Sequence, residues 1–66
     1  MSYRVVIEKD GENIQTFYWG GSLEETRRIA RKMARDSAAD ILRIFELGGS
    51  EICCEKRPFG GASEDL

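Results

Sequence analysis

The sequence predicts an α+β domain of ββαββ order, in which two antiparallel hairpins form a four-stranded sheet and one helix packs on one face. Three observations predict it. One stretch, residues 22–36, has the sustained 3.6-residue apolar period of a helix; four flanking segments are rich in β-branched and aromatic residues; and Asp10-Gly11 and Gly48-Gly49-Ser50 divide those segments into two pairs. With 66 residues the chain makes one domain, and a domain of this size buries only about 60% of the surface its unfolded chain exposes. The expected boundaries are a single domain over residues 1–58 and a flexible C-terminal tail over 59–66.

The first strand, Tyr3 to Lys9, alternates Tyr3, Val5 and Ile7 with Arg4, Val6 and Glu8. Asp10-Gly11 then supplies two residues that tolerate positive φ, as a two-residue hairpin turn requires. An unbroken ladder from that turn puts Ile7 opposite Ile14, Val5 opposite Thr16 and Tyr3 opposite Tyr18. It sends Val6, Phe17 and Trp19 to the other face.

Gly20-Gly21 leads into the helix, whose start is written locally. Ser22 is placed to accept from the opening backbone donors, and Glu25, three residues on, completes a capping box. On the helical wheel Leu23, Thr26, Ile29, Ala30, Met33, Ala34 and Ser37 share one side. Arg27, Arg28, Arg31, Lys32 and Arg35 share the other. No glycine stops the helix, so it is expected to fray between Asp36 and Ala39.

The third strand is Ile41 to Leu47 and the fourth Glu51 to Lys56. A two-residue loop would set Glu46 against Glu51, a repulsive cross-strand pair. A three-residue loop sets Arg43 against Glu55 and gathers Leu42, Ile44, Ile52 and Cys54 on the core side, leaving Phe45 and Cys53 facing away from the helix. Strand order is left open: strands one and three, strands two and four, or strands two and three in parallel all satisfy the pattern.

Charge and chemistry narrow the function. Net charge is −2, but residues 22–36 carry five basic and three acidic residues while the rest carries five and nine. The helix is the positive part of a negative protein, which suits an acidic partner and disfavours long polyanions. No histidine is present, and the two cysteines, Cys53 and Cys54, are neighbours on a strand, so their thiols point to opposite faces. No catalytic residue, metal site or cofactor is expected. Met1 to Arg4 run straight into a strand, nothing approaches a membrane span, and two unpaired thiols fit a cytoplasmic location.

A helix on one side of the sheet leaves Val6, Phe17, Trp19 and Phe45 as an uncovered apolar face, and such faces mark interaction surfaces. The expectation is a non-enzymatic interaction module, a homodimer through that face. The alternative is a nucleic-acid accessory protein using Arg27, Arg28, Arg31, Lys32 and Arg35.

In layout the chain resembles small bacterial ββαββ domains of unknown function. The residues that carry the likeness are Asp10-Gly11, Trp19, the stretch Glu25 to Ala34 with its Ile29-Ala30 and Met33-Ala34 pairs, Leu42 to Phe45, and Phe59-Gly60. The resemblance implies the fold and a bacterial, cytoplasmic origin, and it contributes no catalytic residue.

Overall fold

The computed structural model describes residues 2–59. Its elements are β1 (Ser2–Lys9), β2 (Glu12–Gly20), α1 (Leu23–Asp36), β3 (Ile41–Glu46) and β4 (Glu51–Lys56). The four strands form one antiparallel sheet in the order β2-β1-β3-β4, so β1 and β3 are central and both hairpins end on an edge. This resolves the order that the sequence left open: strand one meets strand three.

The core lies between the helix and the two central strands. Tyr3, Val5 and Ile7 of β1 and Leu42 and Ile44 of β3 are buried beneath Ala30 and Ala34 of α1. Small helix residues let the backbone approach the sheet closely, and Thr26, also buried, donates its hydroxyl to the Ser22 carbonyl at 2.8 Å. Phe59, expected in the tail, is 3% exposed and packs into the same core. The remainder of the expected tail, residues 60–66, lies outside the described residues.

Both helix ends are defined by backbone geometry. Ser22 Oγ accepts from the Glu25 N–H at 3.0 Å, while the Glu25 carboxylate accepts from Trp19 Nε1 at 3.4 Å. The expected capping box is thus half formed, with the Glu25 side chain tied to β2. At the other end Ala38 adopts φ +55°, and the N–H groups of Ala38 and Ala39 donate to the carbonyls of Arg35 and Ala34. Those two bonds are the pair that closes a helix in the Schellman motif. Alanine occupies the left-handed position that glycine usually fills, so the helix is stopped there where the sequence suggested fraying.

Asp40, next in the chain, ties the hairpin ends together. Its N–H donates to the Glu8 carbonyl, its carboxylate accepts from the Asp10 N–H at 2.7 Å, and its carbonyl accepts from the Arg57 N–H.

Two irregularities set the faces of the sheet. The β1–β2 turn is as expected, with Asp10 at φ +54° and Gly11 at +80° and Lys9 opposite Glu12. One step beyond Glu8↔Asn13, however, the register shifts so that Ile7 faces Gln15. Ile14 is the extra residue of a β-bulge, and a one-residue shift sends every later side chain to the opposite face. Phe17 and Trp19 therefore stand opposite Val5 and Tyr3 on the helix side, and Phe17 packs against the core. Their expected place beside Val6 and Phe45 is corrected. Leaving Ile14 45% exposed brings two larger rings to the core side, and aromatic rings carry the greater burial.

The second hairpin repeats the device. Glu46 and Ser50 close a three-residue loop, Phe45 faces Glu51, and then Ile52 is passed over so that Ile44 faces Cys53 and Leu42 faces Glu55. The expected pairing of Arg43 with Glu55 is replaced by Arg43 with Cys54. Cys53 faces the helix and Cys54 faces away, the reverse of the expectation. Glu46 meets Ser50 instead of Glu51, so the bulge removes the like-charge pair that argued against this register. Both bulges sit on edge strands, where a strand is free to bend because only one side is bonded.

Candidate functional site

On the helix side, the bulge at Ile52 delivers the Glu55 carboxylate beneath α1. Arg31 grips it with both branches of its guanidinium, Nε to Oε1 at 2.8 Å and Nη2 to Oε2 at 2.8 Å, and Arg27 Nε lies 3.4 Å from Oε2. The Arg31 hydrogen bond is the main reason the Glu55 carboxyl is held below its ordinary range, against the opposing effect of burial. Arg31 is 8% exposed and belongs to the buried layer. The Cys53 thiol donates to Glu55 Oε2 at 3.7 Å. Burial first, and then the charge of Glu55, pushes that thiol up, so it stays protonated and is a poor nucleophile.

This pairing rearranges the expected cationic face. Of Arg27, Arg28, Arg31, Lys32 and Arg35, Arg31 is enclosed and Arg27 is turned toward the sheet. Arg28 pairs with Glu24 at 3.9 Å and Lys32 with Asp36 at 3.7 Å, each four residues apart on the exposed helix surface. Arg35 donates to the Phe59 carbonyl at 3.3 Å. The wheel placed Arg28, Lys32 and Arg35 on the exposed side correctly and Arg31 wrongly, because it carries no information about a carboxylate arriving from another strand.

The outer face of the sheet is built in cross-strand rows. One row runs Tyr18, Arg4, Phe45, Glu51; the next Thr16, Val6, Arg43, Cys54; the third Asn13, Glu8, Ile41, Lys56. Val6 and Phe45 are where the sequence placed them. Tyr18, 62% exposed, stands where Phe17 and Trp19 were expected.

The two arginines of this face differ in their surroundings. Arg43 donates through Nε to Glu8 at 2.8 Å and through Nη1 to Glu51 at 2.9 Å, and its Nη1 lies 3.8 Å from Cys54 Sγ. The bond to Glu51 and then the bond to Glu8 hold its guanidinium more firmly protonated than usual. Arg4 instead lies over the Phe45 ring, 4.4 Å from its centroid, within the range of a cation–π contact. Among the described residues no carboxylate pairs with Arg4. Sequence reasoning missed Tyr18 and Arg4 as site residues, because only the displaced register brings Tyr18 level with Arg4 and Phe45.

A cavity of about 310 Å³ opens at the C-terminal end of α1, lined by Ala34, Ala38, Ala39, Pro58 and Phe59 together with Arg35 and Arg57. Arg57 lies 3.4 Å from Asp40. Among the described residues no group of three or more His, Cys, Asp or Glu side chains is placed to hold a metal ion, and no helix is long and apolar enough to cross a membrane. No family model, curated protein or solved structure matches the chain.

Proposed function

We propose that the chain is a small non-enzymatic interaction module that works through the outer face of its sheet and receives an acidic partner there. One observation carries this reading: two arginines stand in adjacent rows of one uncovered surface, Arg43 held by two carboxylates and Arg4 lying between exposed Tyr18 and half-buried Phe45 without one. A cation placed among rings gains most from an anion that the partner brings.

A second copy suits this face less well than the sequence suggested. The largest rings expected in a self-association surface, Phe17 and Trp19, face the helix. Apposing two outer faces would also enclose Arg4, while Glu8 and Glu51 are already bonded to Arg43. Nucleic-acid binding by the helix loses support for a related reason: four of its five cations, Arg27, Arg31, Arg28 and Lys32, lie against Glu55, Glu24 and Asp36.

The experiment is site-directed photocrosslinking with a benzophenone side chain at Tyr18 or at Arg28, in extract of the source cells, together with sedimentation of the purified chain. Capture from position 18 and not from position 28, with a monomer at tens of micromolar, supports the reading. Capture from position 28 alone overturns it, and a dimer that dissociates in a Val6→Glu variant restores self-association.

A further inference from the structure

We propose that the Tyr18, Arg4, Phe45 row is a stacking site for unpaired nucleobases, so that the acidic partner of the outer face is single-stranded nucleic acid. The proposal rests on the reading of that face as the working surface and names the chemistry it takes.

Geometry comes first. Tyr18 on β2 and Phe45 on β3 both stand directly opposite Arg4 on β1. Two strand spacings of about 4.8 Å separate the rings by roughly 10 Å, a span that a flexible single strand can bridge. Arg4 sits between them with its guanidinium stacked on the half-buried Phe45 ring, so the surfaces left for bases are the exposed Tyr18 ring and the guanidinium plane of Arg4, whose N–H edge can meet a backbone phosphate. The Tyr18 ring and the Arg4 guanidinium backed by Phe45 are flat surfaces on an open four-stranded sheet, and stacking on them suits every base regardless of sequence.

Charge then selects the form of nucleic acid. The chain has a net charge of −2 and four of its five helix cations lie against carboxylates, so it offers no long cationic track for a duplex. Stacking does not need one. Among the described residues of this face, Arg4, with Lys56 two rows away, is left to answer phosphates, since Arg43 is held by Glu8 and Glu51. With one or two phosphates neutralised, the logarithm of affinity should fall with the logarithm of salt with a slope of only about −0.7 to −1.4. An acidic peptide would pair with Arg4 and leave Tyr18 unused.

The test is fluorescence anisotropy with a labelled twelve-nucleotide thymidine single strand and with a duplex of equal length. The expected result is binding of the single strand with that shallow salt slope, and at least tenfold weaker binding of the duplex. Tyr18→Ala and Arg4→Gln should each weaken single-strand binding about tenfold, Tyr18→Phe should keep it, and Arg28→Gln should leave it unchanged. Tyr18 is exposed, so its variants should fold, which circular dichroism checks.

No binding at low salt, equal binding of the duplex, or indifference to Tyr18→Ala overturns the proposal. So does complete displacement of the strand by an equimolar glutamate-rich peptide. If position 18 crosslinks to a protein while no oligonucleotide binds, this inference fails and the interaction-module reading stands.

Discussion

The two faces of the sheet use arginine in opposite ways. Beneath the helix, Arg31 and Glu55 form a bidentate pair with side chains 10% and 17% exposed, closed off by α1. On the outer face, Arg43 shares two carboxylates at about one-third exposure and Arg4 has a ring in place of a carboxylate. The enclosed pair locks an edge strand to the helix. The open arginines add little to stability, because water already solvates them, and they are correspondingly available to a ligand.

That contrast can be broken most severely at Glu55. Replacing it with alanine removes the carboxylate that Arg31 and Arg27 share beneath α1, and a chemical-denaturation midpoint should report a loss of about 3 kcal/mol. Glu51→Ala on the outer face should cost less than about 1 kcal/mol by the same measurement. Equal losses would erase the distinction between the faces.

Acid should weaken the same pair. Glu55 binds its proton less readily in the folded state than in the unfolded state, so its contribution is present above the ordinary carboxylate value of 4.5 and is lost as pH falls below it. In Glu55→Gln that loss should be missing. Denaturation of the two proteins from pH 7 to pH 3 should therefore show their stabilities converging on acidification.

A smaller effect is expected from deleting Ile14. Removing the extra residue leaves Gln15 opposite Ile7, Phe17 opposite Val5 and Trp19 opposite Tyr3, so an unbroken ladder then serves the present faces. The variant should fold with unchanged Trp19 fluorescence and within about 1–2 kcal/mol of the parent, in the ordinary range of point changes. A red-shifted, solvent-exposed tryptophan would mean that the bulge itself holds the rings on the helix side.

Ala38→Gly probes the end of the helix that supports the inner face. Glycine adopts the +55° φ without a Cβ penalty, so this change should raise stability by roughly 0.5–1 kcal/mol. Smallest of all, Tyr18→Ala should alter stability by no more than about 0.5 kcal/mol, even as it weakens single-strand binding.

Much of the fold was legible in local chemistry. The Ser22 cap, the Asp10-Gly11 turn and the burial of Val5, Ile7, Leu42 and Ile44 follow from spacing and residue type, because each depends on neighbours within a few positions. The outer site was half legible: Val6 and Phe45 were placed correctly. Phe17, Trp19, Cys53 and Cys54 were assigned to the wrong faces because both hairpins were read as unbroken ladders. No local motif at Ile14 or Ile52 distinguishes a bulged residue from a paired one.

By itself, then, the sequence determined the order and type of the elements and the composition of the central strands. Periodicity, capping and turn chemistry act over short distances along the chain. Tertiary structure decided the strand order, the partner of Arg31 and the faces of the edge strands. A bulge is chosen by competition between whole faces: exposing Ile14 and Ile52 is offset by rings turned to the core side and by Glu55 brought under Arg31. That balance exists only once helix and sheet are in contact.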